Sequence, residues 1–188
     1  MDPYALIRRL SGKDSRAAEI LTTHGEMVAA LAEEVARRFP AARTDYEFLF
    51  EAAMLHDIGM LQTDAPSLGC FGTSPYIRHG VLGRQMLEEE GLFRHALVCE
   101  RHFLAGVSAG DILAQGMDLP VRDMLPVSRE EKLICYADCF YSKKPGKLTR
   151  RRRPAQALAS LPEFCRPVFS SWLEEFLELT LPADSSRL

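Results

Sequence analysis

The sequence predicts an all-α protein, a single-domain helical bundle. Apolar residues recur at three- and four-residue spacing along most of the chain, which is the period of a helix with one buried face. Alternating apolar and polar runs bounded by hairpin turns are scarce. Start signals (Ser, Thr or Asp before an apolar run) and stop signals (Gly or Pro after it) recur at helix-length intervals. With 188 residues and roughly 150 residues per domain, one domain over residues 1–188 is expected. A chain of this size buries roughly 70% of its unfolded surface, enough for a core without staples.

The elements follow in order. Asp2 and Pro3 open a short helix over Tyr4 to Leu10. Ser15 to Arg38 reads as a long amphipathic helix with Ala18, Leu21, Met27, Leu31 and Val35 near one face, stopped by Pro40. Thr44 and Glu47 form a capping-box pattern, and the next helix runs from Asp45 to about Ile58, with Gly59 in the place of a terminating glycine. Residues Gln62 to Thr73 read as a loop, long enough for a lid, although its glycines are explained by turns alone. Ser74 and Pro75 read as N-cap and first helical residue of a helix to Glu90, which Gly91 stops. Another helix covers Leu92 to Phe103. Ala105 to Val127 reads as loop with a helical turn near Asp111 to Gln115. Ser128 and Glu131 make a second capping box, opening a helix to about Ser142, broken by Pro145 and Gly146. Helices near Ala155 to Leu161 and from Glu163 to Leu179 close the chain and are expected to pack, over about 154–180, onto a motif core of about 21–144.

Composition excludes several classes. With 47% hydrophobic and 26% charged residues, the chain has ordinary globular usage, not that of a disordered segment. A net charge of −3 gives no global attraction to nucleic acid or an anionic membrane. No apolar run approaches the roughly 18 residues of a membrane span. The start, MDPYALIRRL, lacks the apolar stretch of a secretory signal. Five cysteines, an odd number, then read as reduced thiols in a cytoplasmic protein.

The five histidines are 24, 56, 79, 95 and 102. His24 falls mid-helix in the first long helix, His56 and Asp57 at the end of the second, His79 in the third, His102 at the end of the fourth. Asp138 follows Ile134 and Ala137 in the helix after Ser128. Buried imidazole and carboxylate are costly unless hydrogen-bonded or metal-bound, and six such groups on five helices of a small bundle can converge. A helix C-terminus carrying His56 and Asp57 favours positive charge, and imidazole with carboxylate suits Fe, Mn or Zn better than an ion that prefers oxygen alone.

The order His24, His56-Asp57, Asp138, within AAMLHDIG and EEKLICYADCFYSKKP, resembles the HD-domain metal-dependent phosphohydrolase superfamily. His79 and His102 between them make the chain similar to its two-metal branch. The resemblance spans about Leu21 to Lys144. It implies an HD-type bundle and two divalent ions, with Fe, Mn, Zn, Mg and Ni not distinguished. Carried over, the first metal takes His24, His56, Asp57 and Asp138, and the second takes His79 and His102 with Asp57 bridging. It further implies a metal-activated water or hydroxide that attacks phosphorus, with Asp57 orienting it and Asp138 accepting its proton. One departure is Met60, which stands where many HD domains carry lysine.

The remaining candidates are weaker. His95 lies seven residues before His102, about 10 Å along a helix, so both cannot serve one metal. It reads as a support behind the ligands or as packing, and exchange of His95 with His102 is the alternative assignment. Arg78, Arg101 and Lys143 neighbour ligands and are candidate phosphate-binding cations, against a plainer reading as ion pairs or solvated face. Cys99 with His102, and Cys135 with Cys139, could be written as a zinc knot, but free cysteine is commonly a small buried hydrophobe. Arg150 to Arg153 reads as a solvated run rather than a nucleic-acid patch. Phe169, Trp172, Phe176 and Leu179 read as core rather than a homodimer face.

The expected function is hydrolysis of a phosphate ester or anhydride in a small, nucleotide-like substrate, with no membrane or nucleic-acid partner. The same ligands also serve HD-type di-iron oxygenases that cleave C–C or C–P bonds, and a metal-holding sensor or adaptor is the non-enzymatic alternative.

Overall fold

The computed structural model describes residues 1–12, 15–38, 43–144 and 146–177. Among them are nine α-helices and one short hairpin. The expected stops at Pro40 and Pro145, and the last expected core residue Leu179, lie outside the described residues.

Helix α1 (Pro3–Ser11) opens on Asp2, whose carboxylate accepts the Ala5 amide at 3.0 Å. Helix α2 (Arg16–Arg37) is capped in the same way by Ser15 on Ala18. Helix α3 (Tyr46–Leu55) starts one residue later than a Thr44 cap would set it. Asp45 takes the Phe48 amide at 3.1 Å, and the Thr44 hydroxyl accepts from Arg129 instead. The helix also ends three residues early, at Leu55, and a 3₁₀ turn covers Ile58–Gln62.

Gly59 is not a left-handed terminator, for its φ is not positive. A Cβ there would lie 2.0 Å from the His79 carbonyl oxygen and 2.2 Å from the Gly83 nitrogen. Its role is close approach of backbone to backbone.

The expected loop Gln62 to Thr73 holds an antiparallel hairpin, β1 (Asp64–Ala65) and β2 (Cys70–Phe71), with Asp64 opposite Phe71. Two-residue strands are too short to show alternation. Ser74 does not cap a helix; its backbone pairs with Gln62 and Asp64. A 3₁₀ turn, Tyr76–Arg78, comes first, and α4 (His79–Glu89) follows.

Helix α5 (Phe93–Arg101) and α6 (Ala109–Ala114) come next; α6 has a full capping box between Ser108 and Asp111. Helix α7 (Arg129–Asp138) is capped by Ser128 on the Glu131 amide. The Glu131 carboxylate takes the Val127 amide at 2.6 Å rather than closing the expected box. Helix α7 stops at Asp138, not near Ser142. Arg152 supplies one reason: its guanidinium donates to the carbonyls of Cys139 (3.0 Å) and Tyr141 (2.6 Å), and its amide to Phe140. Helices α8 (Pro154–Ser160) and α9 (Arg166–Leu177) finish the described chain.

Two apolar clusters meet along α2. One joins Val28, Leu31 and Val35 of α2 to Leu49 of α3, Ile134 and Tyr136 of α7, and Phe169, Trp172 and Phe176 of α9. The other joins Ile20 and Leu21 of α2 to Ile7, Leu55, Ile58, Leu87 and Cys99. His24 stands where α2 passes from one cluster to the other, and α3 makes the same passage just before His56. Rings of α9 lie on α7, with Tyr136 stacked on Phe169 at 5.6 Å and edge-on to Phe176 at 4.8 Å. Burying such aromatic side chains is worth roughly 1.5–3 kcal/mol each, so this face of α9 is core.

Candidate metal centre

Five elements deliver six polar side chains to the seam between the two clusters. His24 comes from the middle of α2. His56 caps the C-terminus of α3 and Asp57 follows it. His79 opens α4, His102 caps the C-terminus of α5, and Asp138 ends α7. Three helix C-termini thus converge, each adding partial negative charge that favours a cation.

Close packing of main chain sets this arrangement. Gly59 lets the turn after Asp57 rest on the first turn of α4. Gly80 does the same between α4 and α5, since a Cβ there would lie 2.7 Å from the Cys99 carbonyl oxygen. Arg84 of α4 binds Glu100 of α5 at 2.6 Å, reinforcing that pairing.

The imidazoles are oriented by one repeated device. His56 Nδ1 lies 2.5 Å from the Ala53 carbonyl oxygen, His79 Nδ1 2.8 Å from that of Tyr76, and His102 Nδ1 2.7 Å from that of Cys99. Each carbonyl belongs to the residue three positions earlier. A carbonyl only accepts, so Nδ1 carries a proton and, in the neutral ring, Nε2 presents its lone pair to the cluster. Such fixing of the remote nitrogen is the usual support of a metal-ligating histidine.

The donors form two groups. His24, His56, Asp57 and Asp138 bring one ligand atom each within 4.8 Å of one another, and so do Asp57, His79 and His102. His24 Nε2 is 2.8 Å from Asp138 Oδ1 and 3.3 Å from Asp57 Oδ2, and His56 Nε2 is 3.0 Å from Asp57 Oδ2. Asp57 Oδ1 is 3.4 Å from His79 Nε2 and 3.3 Å from His102 Nε2. One carboxylate thus turns an oxygen to each group.

The donor set fits divalent metal. His56 Nε2 and Asp57 Oδ1 are buried without a well-aligned hydrogen bond among the described residues, and Asp57 Oδ2 has the Lys143 ammonium as its cationic neighbour at 2.7 Å. Buried polar atoms in that state are costly unless a cation satisfies them. Burial pulls His56 down, yet the Asp57 and Asp138 carboxylates outweigh it and lift the ring to about 10. Burial lowers His79 to about 3. Both carboxyls are held well below the usual range despite burial, chiefly by the Lys143 ammonium. The carboxylates therefore demand positive charge: a proton on His56 supplies it in the absence of metal, and a cation that displaces that proton would find the Nε2 lone pair beside them.

Lys143 is the one of the three candidate cations that reaches the cluster. Its Nζ lies 2.7 Å from Asp57 Oδ2 and 3.9 Å from Asp138 Oδ1. Met60 is fully buried in the apolar core, so the ammonium at this site comes from the segment after α7. Arg78 instead carries its guanidinium to Asp118 at the surface. Arg101 binds both carboxylate oxygens of Glu131 at 3.0 Å. His95 lies against Glu51 at 3.1 Å and edge-on to Phe48, apart from the six clustered side chains. The thiols of Cys99, Cys135 and Cys139 donate to backbone carbonyls, Cys135 to that of His102 at 3.2 Å. That bonding fits buried packing, not a zinc knot.

A cavity of about 620 Å³ opens above the cluster. His79, His102, Asp138 and Lys143 reach its floor, Tyr76, Phe103 and Tyr141 supply aromatic wall, and the hairpin segment 64–68 closes one side. Tyr76 stacks on His79 at 4.7 Å and Phe103 meets the same ring edge-on at 5.6 Å. Sequence reasoning did not single out these aromatics. Their signal was spacing: Tyr76 precedes His79 by three residues and Tyr141 follows Asp138 by three, one turn from a ligand in each case.

Fold and donor set together define a helical protein with a buried His/Asp cluster suited to metal. The HD domain family matches residues 21–142, and the chain belongs to it. Among curated relatives, it is 36% identical over 95 residues to uncharacterized protein MJ0778 of Methanocaldococcus jannaschii, covering 50% of this chain and 48% of that one. It is 30% identical over 131 residues to the tRNA (cytidine(56)-2'-O)-methyltransferase of Picrophilus torridus, covering 69% of this chain and 34% of that enzyme. For the enzyme of the same name in Thermoplasma volcanium the identity is 28% over 127 residues, covering 67% and 33%. The chain spans a third to a half of the length of these relatives. Among the described residues no helix is long and apolar enough to cross a membrane.

Proposed function

We propose that the protein is a metal-dependent phosphohydrolase acting on a phosphate ester or anhydride of a small, nucleotide-like substrate. The observation that carries this reading is Asp57, shared by two donor groups and flanked by the Lys143 ammonium at the floor of an open cavity. His24, His56, Asp57 and Asp138 would hold one ion, and Asp57, His79 and His102 a second. Bound there, the ions supply charge for the phosphoryl oxygens and acidify a water for attack on phosphorus.

The chain's own residues do the rest. Lys143 orients a phosphoryl oxygen by a charge-assisted hydrogen bond. Asp138, the most exposed of the ligands at 16% of its side chain, faces the cavity and accepts the proton of the attacking water. Tyr76, Phe103 and Tyr141 bind an aromatic leaving group and keep bulk water off the floor.

The test is a panel of nucleoside phosphates and phosphoesters incubated anaerobically with protein loaded with manganese. Phosphate release that Asp138→Asn abolishes supports the reading. A blank panel, with turnover of some substrate only in the presence of O₂, transfers the site to oxygenase chemistry.

A further inference from the structure

The segment after α7 has a charge pattern that the metal site does not use. Residues 143–153 hold seven of the chain's 23 basic residues and no acid. Three are committed locally: Arg152 to the carbonyls ending α7, Arg151 to Glu34 at 3.2 Å, and Arg153 at the N-cap of α8, where its amide donates to Gln156 at 3.0 Å. Lys143 points into the metal site. Lys144, Lys147 and Arg150 remain, exposed and without an acidic partner among the described residues. They are spaced three apart over two successive turns, closed by Lys147 N–H to Lys144 O at 3.0 Å and Arg150 N–H to Lys147 O at 3.2 Å.

This row starts at the mouth of the cavity, for Lys144 and Arg152 are part of its wall. Tyr141, which precedes the row by three residues, is half-buried and lines the same cavity as Tyr76 and Phe103. Unpaired cations kept together in an otherwise acidic chain repel one another, and a bound polyanion relieves that repulsion. A cationic track beside aromatic platforms is the chemistry that binds single-stranded nucleic acid, phosphates on the cations and a base on the rings.

We propose that the cavity and the row from Lys144 to Arg150 together bind a single-stranded oligonucleotide, one nucleotide seated on the aromatic wall and the adjoining phosphates along the row. The proposal departs from the sequence expectation of a solvated run without a nucleic-acid partner, and the reason is placement: Lys143, Lys144 and Arg152 line the cavity. The proposal deepens the hydrolase reading by naming a polymeric substrate class, but binding is measurable without metal or turnover.

The experiment is fluorescence anisotropy with a labelled single strand of roughly 10 nucleotides, in EDTA, using the full chain and its Lys147→Glu/Arg150→Glu variant. Both positions are exposed, and an unchanged thermal midpoint confirms that the variant is folded. Three phosphate contacts predict a roughly 20-fold loss of affinity between about 50 and 200 mM salt. In the variant, binding should weaken at least roughly tenfold and the salt effect should shrink to under about threefold. Equal binding by both proteins, or none at low salt, overturns the proposal. A duplex or inorganic polyphosphate that competes as well as the single strand also overturns it, by showing attraction to a polyanion only. Loss of binding leaves hydrolysis of small phosphoesters intact, and loss of hydrolysis leaves binding intact, so the two readings fail separately.

Discussion

The Nε2 atoms of His79 and His102 lie 3.1 Å apart, although each ring already donates its Nδ1 proton to a carbonyl. Two neutral rings so anchored turn lone pairs toward each other, an arrangement that attracts a cation and cannot form a hydrogen bond between them. Asp57 Oδ1, at 3.4 and 3.3 Å from the two nitrogens, completes a three-atom donor face.

His79→Ala should therefore leave about one metal equivalent per chain where the unaltered protein is expected to hold two. Elemental analysis after purification without added metal is the measurement. Two equivalents retained would remove His79 from the ligand set.

Asp57→Ala should lose both ions, because this carboxylate faces both groups. Near-full occupancy in that variant would show that the groups do not depend on a common ligand. His95→Ala should keep the metal content unchanged, since its partners are Glu51 and Phe48. A halved content would exchange its role with that of His102.

Gly59→Ala should destabilise the protein by about 1–3 kcal/mol, the usual cost of forcing atoms into a packed interior. The methyl would meet the His79 carbonyl and the Gly83 amide, and main chain yields less readily than a side chain. Urea titration reads the loss. Because the intrusion falls between Asp57 and His79, occupancy of the second ion should drop too; full stability with full occupancy would refute the close-approach role.

Asp45→Ala should cost about 1 kcal/mol at neutral pH, the worth of an N-cap. The bond from the Phe48 amide holds the Asp45 carboxyl below its usual range. A group whose pKa is lower in the folded state stabilises above its unfolded value, and that contribution fades as pH falls through the folded one. The gap between the two proteins should accordingly narrow below about pH 4. A gap that stays constant into acid would mean that the carboxylate charge plays no part.

Much of this was legible in the residues. Helical period and caps gave eight of the helices among the described residues within a few positions, and α6 as a helical turn, because α2, α3 and α7 carry both a strong apolar face and a capping side chain. The clustering of His56, Asp57 and Asp138 was legible in apolar surroundings that a bare polar group would not tolerate, and their assignment to metal came from the resemblance to HD domains. What escaped depends on contacts between distant segments. Gly59 looked like a helix terminator, since nothing local reveals that α4 presses on it. The end of α7 at Asp138 depends on Arg152, fourteen residues on. The fates of Arg78 and Arg101 depend on Asp118 and Glu131, whose proximity only folding decides.

His24 and Asp138 are 114 residues apart in the chain and 2.8 Å apart in space. An ion gripped by both would be a clasp across 114 of the 188 residues. Closing so wide a loop costs little more than closing a short one, because the entropy grows only with the logarithm of length. An ion held by these atoms would therefore also fasten the bundle shut. A substitution that loosens the grip should be felt as slackness in helices far from the cavity as well as in lost turnover.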